Sequence, residues 1–178
     1  MALLGGAVGR ALLLAGAYDM RGIMSFETAR AWIAEHAPDL QLIDHGISTA
    51  TVAEAAAALG VEPARIAKTL ALRVGEQMML VVARGDARID NAKTKAAFGA
   101  RPRMLDAEEA HTVTGHRVGG VCPFGLATPI SVYCDVSIRP FTTVFPAAGS
   151  LTSSVEITPD RLAALVSAGW VDICKSPE

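Results

Sequence analysis

Apolar and polar positions alternate in two distinct periods along this chain. From Ser25 the apolar residues Phe26, Ala29, Trp32 and Ile33 recur at helical spacing, with Ser25 placed as a cap and Pro38 as a stop. "LQLIDHG" is a short strand. "TVAE", Thr51 to Glu54, is a capping box for an alanine-rich helix that Gly60 ends. The pattern then changes to extended runs: "IAKTLALRV" (66–74) and "QMMLVVARG" (77–85) predict a hairpin turning at Gly75-Glu76. A basic helix over 90–98 closes at Gly99, and a second helix opened by Asp106 and Glu109 closes at Gly115. "ISVYCDVSI", "TTVFPAAG" and "SSVEI" predict further strands. Thr158-Pro159 starts a last helix that runs toward Gly169. Strands and helices do not alternate strictly, which argues against a doubly wound sheet and for one mixed α/β (α+β) domain.

The first 23 residues stand apart from this pattern. "MALLGGAVGRALLLAGA" is apolar and ends like a signal-peptide cleavage site, but Arg10 interrupts it and no basic segment precedes it. It is too short and broken to span a membrane, and its "GGAVGR" follows no strand, so it makes a poor phosphate loop. Residues 1–23 are therefore expected to be an extension, with Met20 or Met24 as an alternative start, and 24–178 the domain.

Composition narrows the chemistry. Half of the 178 residues are apolar but only 5% are aromatic, and net charge is −2, so no global field draws nucleic acid. Between Arg84 and Arg103, however, six basic residues stand against two aspartates. Arg88, Lys93 and Lys95 within that stretch are candidate contacts to the phosphates of a polyanion, the alternative being a solvated helix face. Three cysteines, none in a CxxC pair, fit a reducing, cytoplasmic setting. Neither they nor the four histidines have metal-ligand spacing, so no metal or cofactor is expected.

Four places could carry chemistry. Lys68 interrupts an apolar strand; it either snorkels to the surface or extends its ammonium into a cleft. "GGVCPFG" combines Gly119 and Gly120, which permit close backbone approach, with Pro123, which stiffens the turn; a plain connection is the competing explanation. Asp135 is a lone carboxylate in a strand, and Gly149-Ser150 is a turn. Cys122, in the glycine-rich loop, is a candidate nucleophile or a small buried residue.

In order, "TVAEAAAALG", "IAKTLAL", "TGHRVGGVCPFG", "VYCD", "AAGS" and "SVEITPDRLAAL" resemble the YbaK/prolyl-tRNA-synthetase-associated editing family, from about Ser25 to Val166. The resemblance implies a compact domain with a mixed, partly barrel-like sheet surrounded by helices. It implies hydrolysis of the ester between a wrong amino acid and the terminal adenosine of a tRNA, tRNA-Pro foremost. The family's lysine maps to Lys68 and its G-x-x-x-P loop to Gly119 through Pro123, so Lys68, Gly119, Gly120 and Pro123 are the expected catalytic set. Thr69, Val121, Cys122, Phe124, Asp135, Gly149 and Ser150 are the expected substrate contacts. Thr69 stands where some alanine-specific relatives carry asparagine, and Ser150 also departs from relatives. The implied partner is mischarged tRNA, selected by the chain itself or with an aminoacyl-tRNA synthetase or elongation factor. A binding module that kept the fold without the reaction, and a hydrolase built on Cys122, are the two competing readings.

Overall fold

The computed structural model describes residues 20–175 and 177, so the expected extension over 1–23 lies almost wholly outside the described residues. The first helix, α1 (Met20–His36), begins before Ser25. Ser25 is consequently not its cap: the side chain is buried inside the fold, with Oγ 2.7 Å from His116 Nδ1 and 2.8 Å from the Gly149 carbonyl. Strand β1 (Leu42–Asp44) follows, then α2 (Val52–Leu59), whose Thr51–Glu54 capping box and left-handed Gly60 match their sequence signals.

The long hairpin is β2 (Ile66–Val74) and β3 (Gln77–Arg84), in register from Ala67↔Arg84 to Val74↔Gln77. The short β4 (Arg88–Ile89) leads into α3 (Asn91–Phe98), capped by the Asp90 carboxylate. Next come β5 (Pro102–Met104), α4 (Ala107–Thr114) with its Asp106–Glu109 capping box, and β6 (Ser131–Asp135). The chain finishes through β7 (Phe145–Pro146), β8 (Ser153–Val155), α5 (Pro159–Leu165), β9 (Gly169–Val171) and β10 (Cys174–Lys175). Gly169 thus opens a strand rather than ending the last helix, which stops at the Val166 cap.

The main sheet is mixed, in the order β5-β2-β3-β6-β9, with β7 also pairing β2. Pairs β2–β3 and β2–β5 are antiparallel, whereas β3–β6, β6–β9 and β2–β7 are parallel. This sheet is open, which corrects the expectation of a partly barrel-like one: β5 and β9 end the order without pairing to each other. Two small ladders, β1–β8 and β4–β10, flank it.

Because side chains alternate across a strand, β2 divides its residues between two cores. Ala67 and Ala71 join Leu80, Val82, Phe124 and Leu162 on one face, against α1, α4 and α5. Leu72 and Val74 join Met79, Val81, Ala83 and Ile173 on the other, against α3 and the C-terminal strands. Thr69 therefore stands on the first face and Lys68 on the second.

Candidate active site

A cavity of about 250 Å³ opens beside the middle of β2. Its walls come from α2, the segment Thr49–Ala50, the start of the Gly119–Val121 loop, Met104–Leu105 and the β7–β8 region. Most wall side chains are small, among them Ala55, Ala67, Ala71 and Ala110. Of the lining residues, Met104 and Val118 are 52% and 62% exposed, which leaves an apolar rim in water.

Of the residues expected at a site, Lys68, Thr69, Gly119 and Val121 line this cavity. Lys68 lies in the wall, yet its ammonium is not loose. Nζ donates to the Gly85 carbonyl at 2.9 Å and to the Ala87 carbonyl. Burial lowers its pKa below the ordinary lysine range, with Cys174 and Asp86 opposing that shift and Arg88 adding to it. An ammonium has three donors, and two are used.

The glycine pair is explained by packing as much as by the cavity. Gly119 has φ +91°, and a Cβ there would meet Leu151 Cδ2 at 2.8 Å and Ala50 Cβ at 3.2 Å. At Gly120 a Cβ would stand 3.1–3.3 Å from the backbone of Ser150 and Gly149. The two turns expected to hold substrate therefore press against each other. Gly120, Gly149 and Ser150 serve that contact and are absent from the cavity wall; the Ser150 hydroxyl donates to Ser153 Oγ at 2.7 Å.

Cys122, Pro123 and Phe124 are buried, Cys122 and Phe124 in the first core, and none of the three lines the cavity. Behind the loop His116, fully buried, is held neutral because burial lowers its pKa. In that state Nε2–H donates to the Phe124 carbonyl at 2.7 Å, and Nδ1 is an acceptor 2.7 Å from the Ser25 hydroxyl, whose one proton is shared between Nδ1 and the Gly149 carbonyl. This Ser25–His116–Phe124 chain pins α1 to the loop. Sequence reasoning missed it; the signal available was a histidine five residues after another in a glycine-bounded segment, which by itself says nothing about a partner 91 positions away.

Cys122 Sγ lies 3.4 Å from His116 Nε2, the arrangement a cysteine nucleophile would need. It is not one. The thiol is wholly buried and its pKa is pushed up to about 12 by desolvation, so thiolate is scarce at neutral pH. Burial raises Cys134 and Cys174 to about 12 as well. Iodoacetamide at pH 8 is accordingly expected to leave all three thiols of the folded protein unmodified while labelling them fully in denaturant. Labelling of native Cys122, read by mass spectrometry, would restore it as a nucleophile.

Asp135 also serves the fold. At 0% exposure it ends β6, accepting from Ser137 N at 2.9 Å through Oδ1, and from Ile173 N at 2.8 Å and Cys174 N at 3.0 Å through Oδ2. These three bonds are to the main chain, the Cys174 thiol adds a side-chain hydrogen bond, and Asp135 is absent from the cavity wall.

The basic segment is partly neutralised. Arg84 pairs with Asp86 at 2.5 Å, Lys93 with Asp172 at 2.7 Å and Arg103 with Glu109 at 2.8 Å. Lys93 also donates to the Cys174 carbonyl, so it staples α3 to the C-terminal strands. Among the described residues, Arg88, Lys95 and Arg101 carry no ion pair, and they remain for a polyanion. No helix among the described residues is long and apolar enough to cross a membrane.

Comparison with known proteins places this cavity in context. Residues 48–165, which include every wall element named above, match the model of the aminoacyl-tRNA editing domain. The protein YwhH of Bacillus subtilis is 45% identical over 157 residues, 87% of this chain and 100% of its own. A proline–tRNA ligase of Bacillus licheniformis is 31% identical over 96 residues, which cover 53% of this chain but 17% of the ligase. Among solved structures, a proposed trans-editing enzyme for prolyl-tRNA synthetase superposes with a TM-score of 0.78 at 29% identity, covering 85% of this chain and 98% of that one. With the family model matched over most of its length, the chain belongs to the aminoacyl-tRNA editing domain family, in its YbaK-like branch.

Proposed function

We propose that this protein is a freestanding deacylase that hydrolyses the ester between a wrong, small amino acid and the 3′-terminal adenosine of a tRNA, with tRNA-Pro as the tRNA. The observation that carries this reading is the cavity itself: small side chains, one ammonium donor and an exposed apolar rim gathered beside an exposed strand edge. Likeness to a segment of proline–tRNA ligases supports tRNA-Pro.

An aminoacyl ester is already activated, so its hydrolysis needs placement and charge stabilisation more than a nucleophilic side chain. Water adds through its oxygen to the ester carbonyl carbon, and the tetrahedral oxyanion takes the remaining Lys68 N–H. The bond from that carbon to the ribose oxygen then breaks. The departing oxygen takes up the proton that water lost, relayed by the neighbouring ribose hydroxyl of the substrate. Free amino acid and uncharged tRNA leave. The apolar rim at Met104 and Val118 receives the terminal adenine, and Arg88, Lys95 and Arg101 supply phosphate contacts to the acceptor arm. A second sieve of this kind is useful because one methylene distinguishes amino acids by only about 1–3 kcal/mol.

The test is a deacylation panel on tRNA-Pro carrying labelled Pro, Ala, Cys, Ser or 2-aminobutyrate. Release of one or more wrong amino acids with Pro-tRNA spared is the expected result. Stable esters across the panel would leave a binding module of the same fold.

A further inference from the structure

Thr69 presents an unusual deficit for a residue in the middle of a sheet. On the side of β2 away from β3, β7 pairs with Ile66 and Ala67, and β5 pairs with Leu72 through Val74. The Leu105 amide additionally donates to the Ala71 carbonyl at 2.9 Å. Lys68, Thr69 and Leu70 thus have no strand partner on that side, and this gap is where the cavity lies.

Direction follows from register. The pairing of β2 with β3 is uninterrupted from Ala67 to Val74, so no bulge disturbs the alternation of main-chain groups. Since the Ala71 carbonyl faces β5, the N–H and C=O of Thr69, two residues earlier, face the same way, into the gap. Those of Lys68 and Leu70 face β3. Among the described residues nothing bonds the Thr69 main chain on the gap side, and its buried Oγ1 has no hydrogen-bond partner either. Buried polar groups are almost always paired, so the buried Thr69 hydroxyl, together with two main-chain groups that no protein group bonds on the gap side, marks a place on the cavity wall that a ligand completes.

We infer that the aminoacyl group of the substrate binds as a one-residue addition to β2, exchanging two hydrogen bonds with Thr69. This rests on the deacylase reading above and specifies how its substrate is held. An aminoacyl ester carries an N–H donor and a carbonyl acceptor on the same Cα. That is the complement of one residue in a hydrogen-bonded antiparallel pair. The α-ammonium donates to the Thr69 carbonyl, and the Thr69 amide donates to the ester carbonyl oxygen. Residues opposed in such a pair project side chains to the same face. The amino acid side chain is thereby directed to the face of Ala67, Thr69 and Ala71, with the Thr69 hydroxyl beside it. Main-chain recognition of this kind is blind to side-chain identity, so selectivity falls to the walls.

The test deletes one donor and, beyond that, only weakens the Lys68 carbonyl as an acceptor toward β3. Threonine at 69 is replaced by its α-hydroxy acid counterpart, which turns the amide N–H into an ester oxygen. The same exchange at Leu72, whose amide faces β3, is the control. Binding of 3′-alanylamino-3′-deoxyadenosine, a non-cleavable analogue, is measured by calorimetry beside the melting temperature. Exchange at 69 is expected to weaken the analogue about tenfold with a small change in melting temperature, and exchange at 72 to lower the melting temperature with affinity kept. Affinity within about twofold of wild type after exchange at 69 overturns the inference while deacylation by the wild type stands. A wild type that neither cleaves the panel nor binds the analogue overturns the deacylase reading, and this inference with it.

Discussion

Lys68→Met is expected to lower the rate of deacylation by about 10²–10³-fold, the usual effect of removing one donor to a developing oxyanion. Methionine retains most of the aliphatic stem, so packing on the second core face is kept. The Gly85 and Ala87 carbonyls lose their charged donor, but the protein also sheds a half-buried cation whose pKa burial has already depressed. These effects oppose each other, and the melting temperature is expected to stay within a few degrees. The pH profile supplies a second readout. The ammonium is the working form, so activity falls as pH rises through the folded-state pKa, which lies below the ordinary lysine value. Lys68→Arg keeps a cation but not its shape, and a fork cannot reproduce one point donor between two carbonyls. A Lys68→Met protein that releases amino acid at the wild-type rate would remove the lysine from the mechanism and leave the strand edge as the only oxyanion donor.

The second large effect falls on stability. Asp135→Ala is expected to cost about 3–5 kcal/mol, because three main-chain N–H groups, those of Ser137, Ile173 and Cys174, lose their acceptor in a site without solvent. For a domain of this size that is a fall of about 10 °C or more in melting temperature. The fraction that remains folded is expected to bind substrate with unchanged KM. The opposite pattern, a raised KM with an unaltered melting temperature, would return Asp135 to the substrate. The family pattern draws attention to this aspartate, and its reason is architectural: one carboxylate ties the end of β6 to the segment joining β9 and β10.

Much of the fold is legible because its determinants are local. Thr51 with Glu54, Asp106 with Glu109, and the left-handed Gly60, Gly99 and Gly115 act within a few residues of themselves, and each element they bound is where the pattern puts it. The β2–β3 hairpin is equally local, since its strands adjoin and its turn is two residues long. The short strands β4, β5, β9 and β10 are not legible. Two or three residues carry no periodicity, and they are strands only because a distant segment pairs with them.

The candidate site divides in the same way. Sequence alone determined the family, the presence of a lysine in an apolar strand and a glycine pair at 119 and 120 that permits close approach. It could not tell which glycine lines the cavity and which only packs on another turn, because that depends on Ala50 and the Gly149–Ser150 backbone arriving from elsewhere in the chain. Nor could it show that Cys122 and Asp135 point inward, or that Lys93 is already paired. Most of all, the break between β7 and β5 along β2 exists only in three dimensions. Hydrophobic periodicity and caps act over one to two turns of chain and are written in order. Ladder pairing and burial are set by which segments meet, and the tertiary structure alone decided where this sheet leaves an edge unpaired.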